Sequence, residues 1–208
     1  MSNVMELIKE KRIVPVVKLD HVEDALPLAK ALIDGGLPVA EITFRTDAAE
    51  ESIRVIRNTY PEMLCGAGTV VNIDQAERAV AAGAAFIVSP GFTKEVVEFA
   101  VRKNIPVLPG CCTPTEIIDA MNYGLKVVKF FPAKQYGGLD TIKALAAPFP
   151  GIRFMPTGGI NTGNLREFLD NDKIYACGGS WMVADSLIKE KRFDEITRLT
   201  KEAVELAK

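Results

Sequence analysis

"PVVKLDHVED", residues 15–24, is where the chain leaves its first apolar run, and it contains no glycine. An open, doubly wound sheet normally carries a nucleotide-binding glycine fingerprint at this turn. The missing fingerprint matters because of the pattern that surrounds it. Short β-branched runs alternate with longer amphipathic stretches, as in a parallel sheet with crossover helices. Eight runs read as strands: IVPVVKL (13–19), VAEITF (39–44), LCGAGTV (64–70), FIVSP (86–90), IPVLPG (105–110), KVVKFFP (126–132), IRFMPTG (152–158) and IYACGG (174–179). Eight strand–helix units in 208 residues, with no linker or shift in composition, predict an α/β protein. The expected form is a single compact (β/α)8 TIM barrel spanning residues 1–208, with the open sheet as the alternative.

The intervening stretches carry helix-start signals. Asp47, Asn72, Thr93, Thr113 and Asn161 stand where N-caps are expected. Thr113 before Pro114, with Glu116 three positions on, suits a capping box with proline in the first turn. Pro27 falls inside the first putative crossover helix, either in its opening turns or at a kink.

Composition narrows the function. Apolar residues make up 48 % and charged residues 25 %, and the formal net charge is -2 without a basic tract. Nucleic acid is therefore not expected as a partner. No apolar run approaches the roughly 18 residues of a membrane span. The start, MSNVMELIKEKR, lacks a signal peptide's apolar core, and the protein is expected in the cytoplasm. Cys65, Cys111, Cys112 and Cys177 show no CxxC spacing, so buried free thiols are expected rather than zinc. The single His21, near a helix start, reads as a surface or capping residue. A Ser-His-Asp hydrolase would need it at its centre, and no clustered histidines suggest a catalytic metal.

In a barrel of this kind, chemistry gathers at the carboxyl ends of the strands. In "AEITFRT" (40–46), Glu41, Thr43 and Arg45 alternate with Ile42 and Phe44, so the three polar groups share one face. That face points into the barrel if the apolar face packs on helices. In "LKVVKFFPAK" (125–134), Lys129 sits in a greasy run with Val127 and Phe131 on its side. An unpartnered buried ammonium is costly, so such a lysine tends to lose its proton or to be used. Taken alone, the run would also suit an edge strand with its lysine in water. Inside a barrel, Lys129 would lie near Glu41 and Arg45. Burial and the guanidinium favour a neutral amine, the carboxylate favours an ammonium, and the sequence does not settle which prevails. A neutral lysine is a nucleophile for carbonyl carbon.

The other strand ends carry weaker signals. Gly66 and Gly68 allow close approach, and Thr69 offers a hydroxyl and an N–H. Ser89, Pro90 and Gly91 form a turn. "PTGGIN" (156–161) and "CGGSW" (177–181) each place paired glycines ahead of an expected helix, after strands 7 and 8, where the barrel's frequent phosphate site lies. Backbone of Gly158, Gly159, Gly179 and Ser180 is expected to bind a phosphoryl group.

"EITFRT", "GAGTV", "SPGF", "KFFPA", "PTGGI" and "GGSW" occur in the order found in 2-keto-3-deoxy-6-phosphogluconate aldolases. These include bifunctional forms that also cleave 4-hydroxy-2-oxoglutarate. The chain resembles this family from about Ile13 to Val183. The resemblance implies a metal-free class I aldolase that needs no cofactor and works through a lysine imine on a keto-acid phosphosugar. It implies Lys129 as Schiff-base lysine, Glu41 as general acid/base, and Arg45 and Thr69 as holders of the pyruvate carboxylate. Phe131 and Pro90 would line the pyruvyl pocket, and Gly159, Gly179 and Ser180 would hold phosphate. It also implies a homotrimer. Cys111 and Cys112 are unusual occupants of the family's "PG-x-x-T" pattern, and Lys18 could contact substrate or compete in modification. An aldolase for the galactonate epimer and a phosphosugar epimerase or isomerase barrel remain the alternatives.

Overall fold

The computed structural model describes residues 2–208. Helix α1 (Ser2–Lys11) leads into β1 (Ile13–Val17), and strand and helix then alternate. The order is α2 (Ala25–Asp34), β2 (Val39–Thr43), α3 (Ala49–Thr59), β3 (Leu64–Gly68), α4 (Ile73–Ala81), β4 (Ile87–Val88), α5 (Lys94–Arg102), β5 (Val107–Leu108), α6 (Pro114–Asn122) and β6 (Val127–Phe130). Then follow α7 (Gly138–Ala146), β7 (Arg153–Pro156), α8 (Leu165–Leu169), β8 (Cys177–Gly179), α9 (Asp185–Lys189) and α10 (Phe193–Ala207). Each of the eight expected runs holds one strand, and every strand is shorter than its run. Seven of the eight stop short of the carboxyl end of their run, where the chain turns into the loops of the mouth, and β8 is shortened only at its amino end.

All pairings are parallel. Strands β5-β4-β3-β2-β1-β8 form one continuous sheet and β6-β7 a second. Isolated bridges, Gly110 to Lys129 on one side and Phe154 to Ile174 and Thr157 to Gly178 on the other, join the two sheets into a closed barrel. Closure rules out the open-sheet alternative.

The period-2 pattern sorts side chains as the sequence predicts. Ile13, Val17, Ile42, Ala67, Ile87 and Val128 point outward and bury against the helices. Val14, Val39, Leu64, Phe86, Val88, Leu108, Val127 and Met155 fill the interior toward the amino end, joined by Ile8 of α1. Tyr175 Oη donates to Met5 O at 2.8 Å and fastens α1 across that end. The bottom of the barrel is therefore apolar, and the polar inward residues stand above it.

Helix starts follow the cap signals in part. Thr113 and Glu116 form a reciprocal capping box with Pro114 in the first turn, and Asn72 Oδ1 accepts from Gln75 N at 2.9 Å. Thr93 is an N-cap by position only. Asp47 and Asn161 are corrections. Helix α3 begins after Ala48. Asn161 instead closes a turn, accepting from Gly163 N at 2.9 Å, and α8 starts later, after Asn164. Pro27 is the third residue of α2, where its missing N–H has no partner four residues back within the helix, and no kink is needed.

Phe86 is fully buried in the barrel interior. Phe86→Ala should lower stability by about 3–5 kcal/mol, measured by urea unfolding, because the packed interior cannot collapse around the lost ring.

Candidate active site

Strand β2 places Val39, Glu41 and Thr43 inward, with Glu41 beside Val16 on β1 and Gly66 on β3. Strand β6 places Val127 and Lys129 inward. The two polar groups meet across the barrel. Lys129 Nζ lies 3.3 Å from Glu41 Oε1, with Lys129 5 % exposed and Glu41 fully buried. The ammonium also stands 5.4 Å from the centroid of the Phe131 ring. Glu41 Oε2 is buried without a protein hydrogen-bond partner. An unsatisfied carboxylate oxygen in such a place is costly, and it marks where an incoming donor would be bound.

Above the pair opens a cavity of about 400 Å³. Arg45, Thr69, Pro90, Lys129, Phe131, Gly158, Gly159, Gly179 and Ser180 all line it, so the fold brings together every expected substrate-binding residue. Glu41 sits just beneath, against Lys129. Arg45 Nε donates to Thr43 Oγ1 at 3.2 Å. Thr69, the residue after β3, has φ of 56°, an uncommon conformation for a β-branched residue. Such outliers persist where the surroundings impose them, often at functional sites.

The glycines of β3 serve side chains, not a ligand. A Cβ on Gly66 would strike the Phe86 ring at 2.3 Å, and one on Gly68 would lie 2.2 Å from Glu41 Oε1. Gly68 thus supplies the space the buried carboxylate occupies. The paired glycines after β7 do form a special turn, with φ of 97° at Gly158 and 80° at Gly159. The expectation that each pair opens a helix is corrected. Helix α8 begins only at Leu165, and β8 runs into a 3-10 turn, Trp181–Val183. Any phosphate contact there comes from turn N–H groups rather than from a long helix dipole. Asn164 Nδ2 donates to Gly159 O at 2.9 Å and holds the first of these turns in place.

Lys18 does not reach the cavity. Its Nζ pairs with Asp20 at 2.7 Å and Asp185 at 3.4 Å. The Asp20 hydrogen bond holds it above the usual lysine range, so it remains a cation and a poor competitor for carbonyl compounds. Sequence reasoning missed Val16, Thr157 and Ile160 as lining residues. Thr157 was findable, because it stands two residues beyond the inward Met155, on the same face, and directly precedes the paired glycines. Its hydroxyl is buried and without a protein partner.

A closed parallel barrel that holds an amine against a carboxylate at the floor of a polar-mouthed cavity is equipped for imine chemistry on a carbonyl compound. Comparison narrows the class. The family model for KDPG and KHG aldolase matches residues 4–199, and the chain belongs to that family. It is 45 % identical to a 2-dehydro-3-deoxy-phosphogluconate aldolase of Treponema pallidum (strain Nichols), covering 99 % of this chain and 98 % of the relative. It is 44 % identical to a KHG/KDPG aldolase of Escherichia coli (strain K12), covering 94 % and 92 %. A KDPG aldolase structure from Legionella pneumophila, with pyruvate captured at low pH as a covalent carbinolamine intermediate, superposes with a TM-score of 0.92. It shares 38 % identity over 96 % of this chain and 97 % of that one.

The thiols are free, and three of them are buried. Burial pushes Cys65 and Cys177 up to about 12 and raises Cys111 as well. Cys112 departs from expectation in being only half-buried, and its Sγ donates to Phe131 O at 3.2 Å. Burial raises it as well, which favours the neutral thiol. Iodoacetamide on the folded protein should modify Cys112 alone, ever faster as pH climbs above the ordinary thiol range of about 8.5. Mass spectrometry before and after denaturation checks this.

Gly68→Ala should leave the fold intact but drive the Glu41 carboxylate from its seat. Aldolase turnover should fall by about 10², the scale of a 1 Å misplacement, measured by coupled assay against circular dichroism of the same sample.

Proposed function

We propose that the protein cleaves 2-keto-3-deoxy-6-phosphogluconate to pyruvate and glyceraldehyde 3-phosphate through an imine on Lys129. We propose further that it cleaves 4-hydroxy-2-oxoglutarate to pyruvate and glyoxylate in the same way. The observation that carries this reading is the 3.3 Å contact between Lys129 Nζ and Glu41 Oε1 at the floor of the cavity. Family membership and the covalent pyruvate adduct in the Legionella relative support it.

Transfer of a proton from Nζ to Glu41 leaves a neutral amine facing the cavity. The amine attacks the C2 ketone and forms a carbinolamine. Loss of water, with a proton returned by Glu41, gives a protonated imine. This cation draws the C3–C4 bonding electrons toward nitrogen as Glu41 takes the C4 hydroxyl proton. The carbon–carbon bond breaks, the aldehyde departs, and an enamine of pyruvate remains on Lys129. Protonation at C3 and addition of water at C2 then free pyruvate and restore the amine. Glu41 Oε1, in contact with Nζ, is placed to take the lysine proton, and Oε2, unpartnered in the protein, is free for the transfers to and from substrate.

The remaining residues divide the substrate between them. Arg45 offers two Nη donors to the carboxylate, and Thr69 its N–H and hydroxyl. Phe131 and Pro90 wall the pyruvyl carbons. Gly158, Gly159, Gly179 and Ser180 present turn N–H groups to the distal phosphate, which positions the aldehyde end. We also propose a cytoplasmic homotrimer, on family membership alone; light scattering after gel filtration tests the trimer. Among the described residues, no helix is long and apolar enough to cross a membrane.

Incubation with pyruvate and borohydride, followed by peptide mass spectrometry, should place the reduced adduct on Lys129. Lys129→Ala should abolish it, and an adduct elsewhere would overturn the assignment. Glu41→Gln should still form some adduct while turnover falls by about 10²–10⁴; near-normal turnover would remove Glu41 from the mechanism.

A further inference from the structure

We infer that Thr43 is a positioning residue for substrate carboxylate recognition, acting through Arg45; this rests on the reading of Arg45 as the carboxylate clamp. Thr43 is 1 % exposed, the last inward residue of β2, and lines the cavity directly above Glu41. Its hydroxyl has one proton, and that proton is committed. Thr43 Oγ1 donates to Val17 O at 2.8 Å, across the β1–β2 pair. What it can offer on the cavity side is therefore a lone pair, and Arg45 Nε donates to it at 3.2 Å.

This arrangement fixes a side chain that otherwise has little to hold it. Arg45 is exposed, and among the described residues neither Nη nitrogen has a protein hydrogen-bond partner. A free arginine samples many rotamers, and ordering it on binding costs entropy. Tethering Nε removes much of that cost in advance and leaves the two Nη groups free for a carboxylate. The anchor is itself rigid. Thr43 hangs from the Val17 carbonyl, and the next inter-strand hydroxyl contact, Thr46 Oγ1 to Leu19 O, pins the chain just past Arg45. Two hydroxyls thus staple the exits of β1 and β2 around the guanidinium. A hydroxyl is required in this role. Valine of the same shape would fill the space but offer Nε no acceptor.

The test compares Thr43→Val, Thr43→Ser, Arg45→Ala and the double variant Thr43→Val/Arg45→Ala. Each is read as the pyruvate concentration giving half-maximal borohydride adduct and as KM against kcat in cleavage. Thr43→Val should raise half-saturation and KM about tenfold, the scale of one hydrogen bond to a charged group, with kcat changed less than threefold. Thr43→Ser keeps the acceptor and should stay within about twofold of the parent. In the Arg45→Ala background, adding Thr43→Val should change little, since its effect runs through the missing guanidinium.

An unchanged half-saturation in Thr43→Val would overturn the inference, as would an equal tenfold loss in both backgrounds. If Thr43→Val does not fold, a tenfold loss in a folded Thr43→Ser would overturn it too, and near-parental binding there supports it. Should Arg45→Ala itself leave half-saturation unchanged, the clamp reading fails, a result distinct from an inert Thr43→Val beside a damaged Arg45→Ala.

Discussion

The 3.3 Å contact between Lys129 and Glu41 sets the terms for the whole barrel. Taking an ammonium and a carboxylate out of water costs several kcal/mol per ion, and their attraction repays this only if the geometry is good. A sheet with a free edge or a wet interior would let either group turn to solvent. Closure by the Gly110–Lys129 and Thr157–Gly178 bridges prevents that. The apolar plug of Val39, Leu64, Phe86, Val127 and Ile8 keeps water from reaching the pair from below. The amine is thus held in reserve, with its proton acceptor already in contact, and it lines the cavity above.

Space for the pair comes from subtraction as much as from packing. Gly68 lacks the Cβ that would strike Glu41, and Gly66 lacks the one that would strike Phe86. The interior therefore alternates large and small residues, so that a carboxylate fits where most barrels pack a branched aliphatic chain. Above this layer the requirements change. Arg45 and Thr69 stand at the rim above the buried Thr43, and there hydrogen bonds and backbone strain decide orientation. Lys18, only one residue past β1, is drawn off by Asp20 and Asp185 into a separate charged cluster. That separation leaves Lys129 as the amine that lines the cavity.

Several features could be read without coordinates because each has a local cause. The alternation of Glu41, Thr43 and Arg45 with Ile42 and Phe44 demanded a strand with two unlike faces. The Thr113–Pro114–Glu116 spacing demanded a helix start. Others could not be read so. Asn161 looks like an N-cap, and its side chain does close a turn, but Gly163 and Asn164 delay the helix. Asp47 carries a capping side chain that α3 does not use. A single residue can serve two local motifs equally well, and tertiary contacts select between them.

Period, composition and strand-end chemistry by themselves determined that this chain forms eight parallel strands with a basic and an acidic residue on inward faces. Those are properties of neighbours along the backbone. Only the tertiary structure decided that Lys129 and Glu41, 88 positions apart, touch. It also decided that the glycines of β3 make room for Phe86 and Glu41 rather than for ligand, that Lys18 is spoken for, and that Thr43 holds Arg45. The Lys129–Glu41 contact, the seats of Phe86 and Glu41 against the β3 glycines, and the Lys18–Asp185 pair join residues far apart in the chain, at distances that closure and register set. Thr43 and Arg45 are neighbours in sequence, but the Thr43 hydroxyl is left as an acceptor because its proton goes to Val17 O on the adjacent strand.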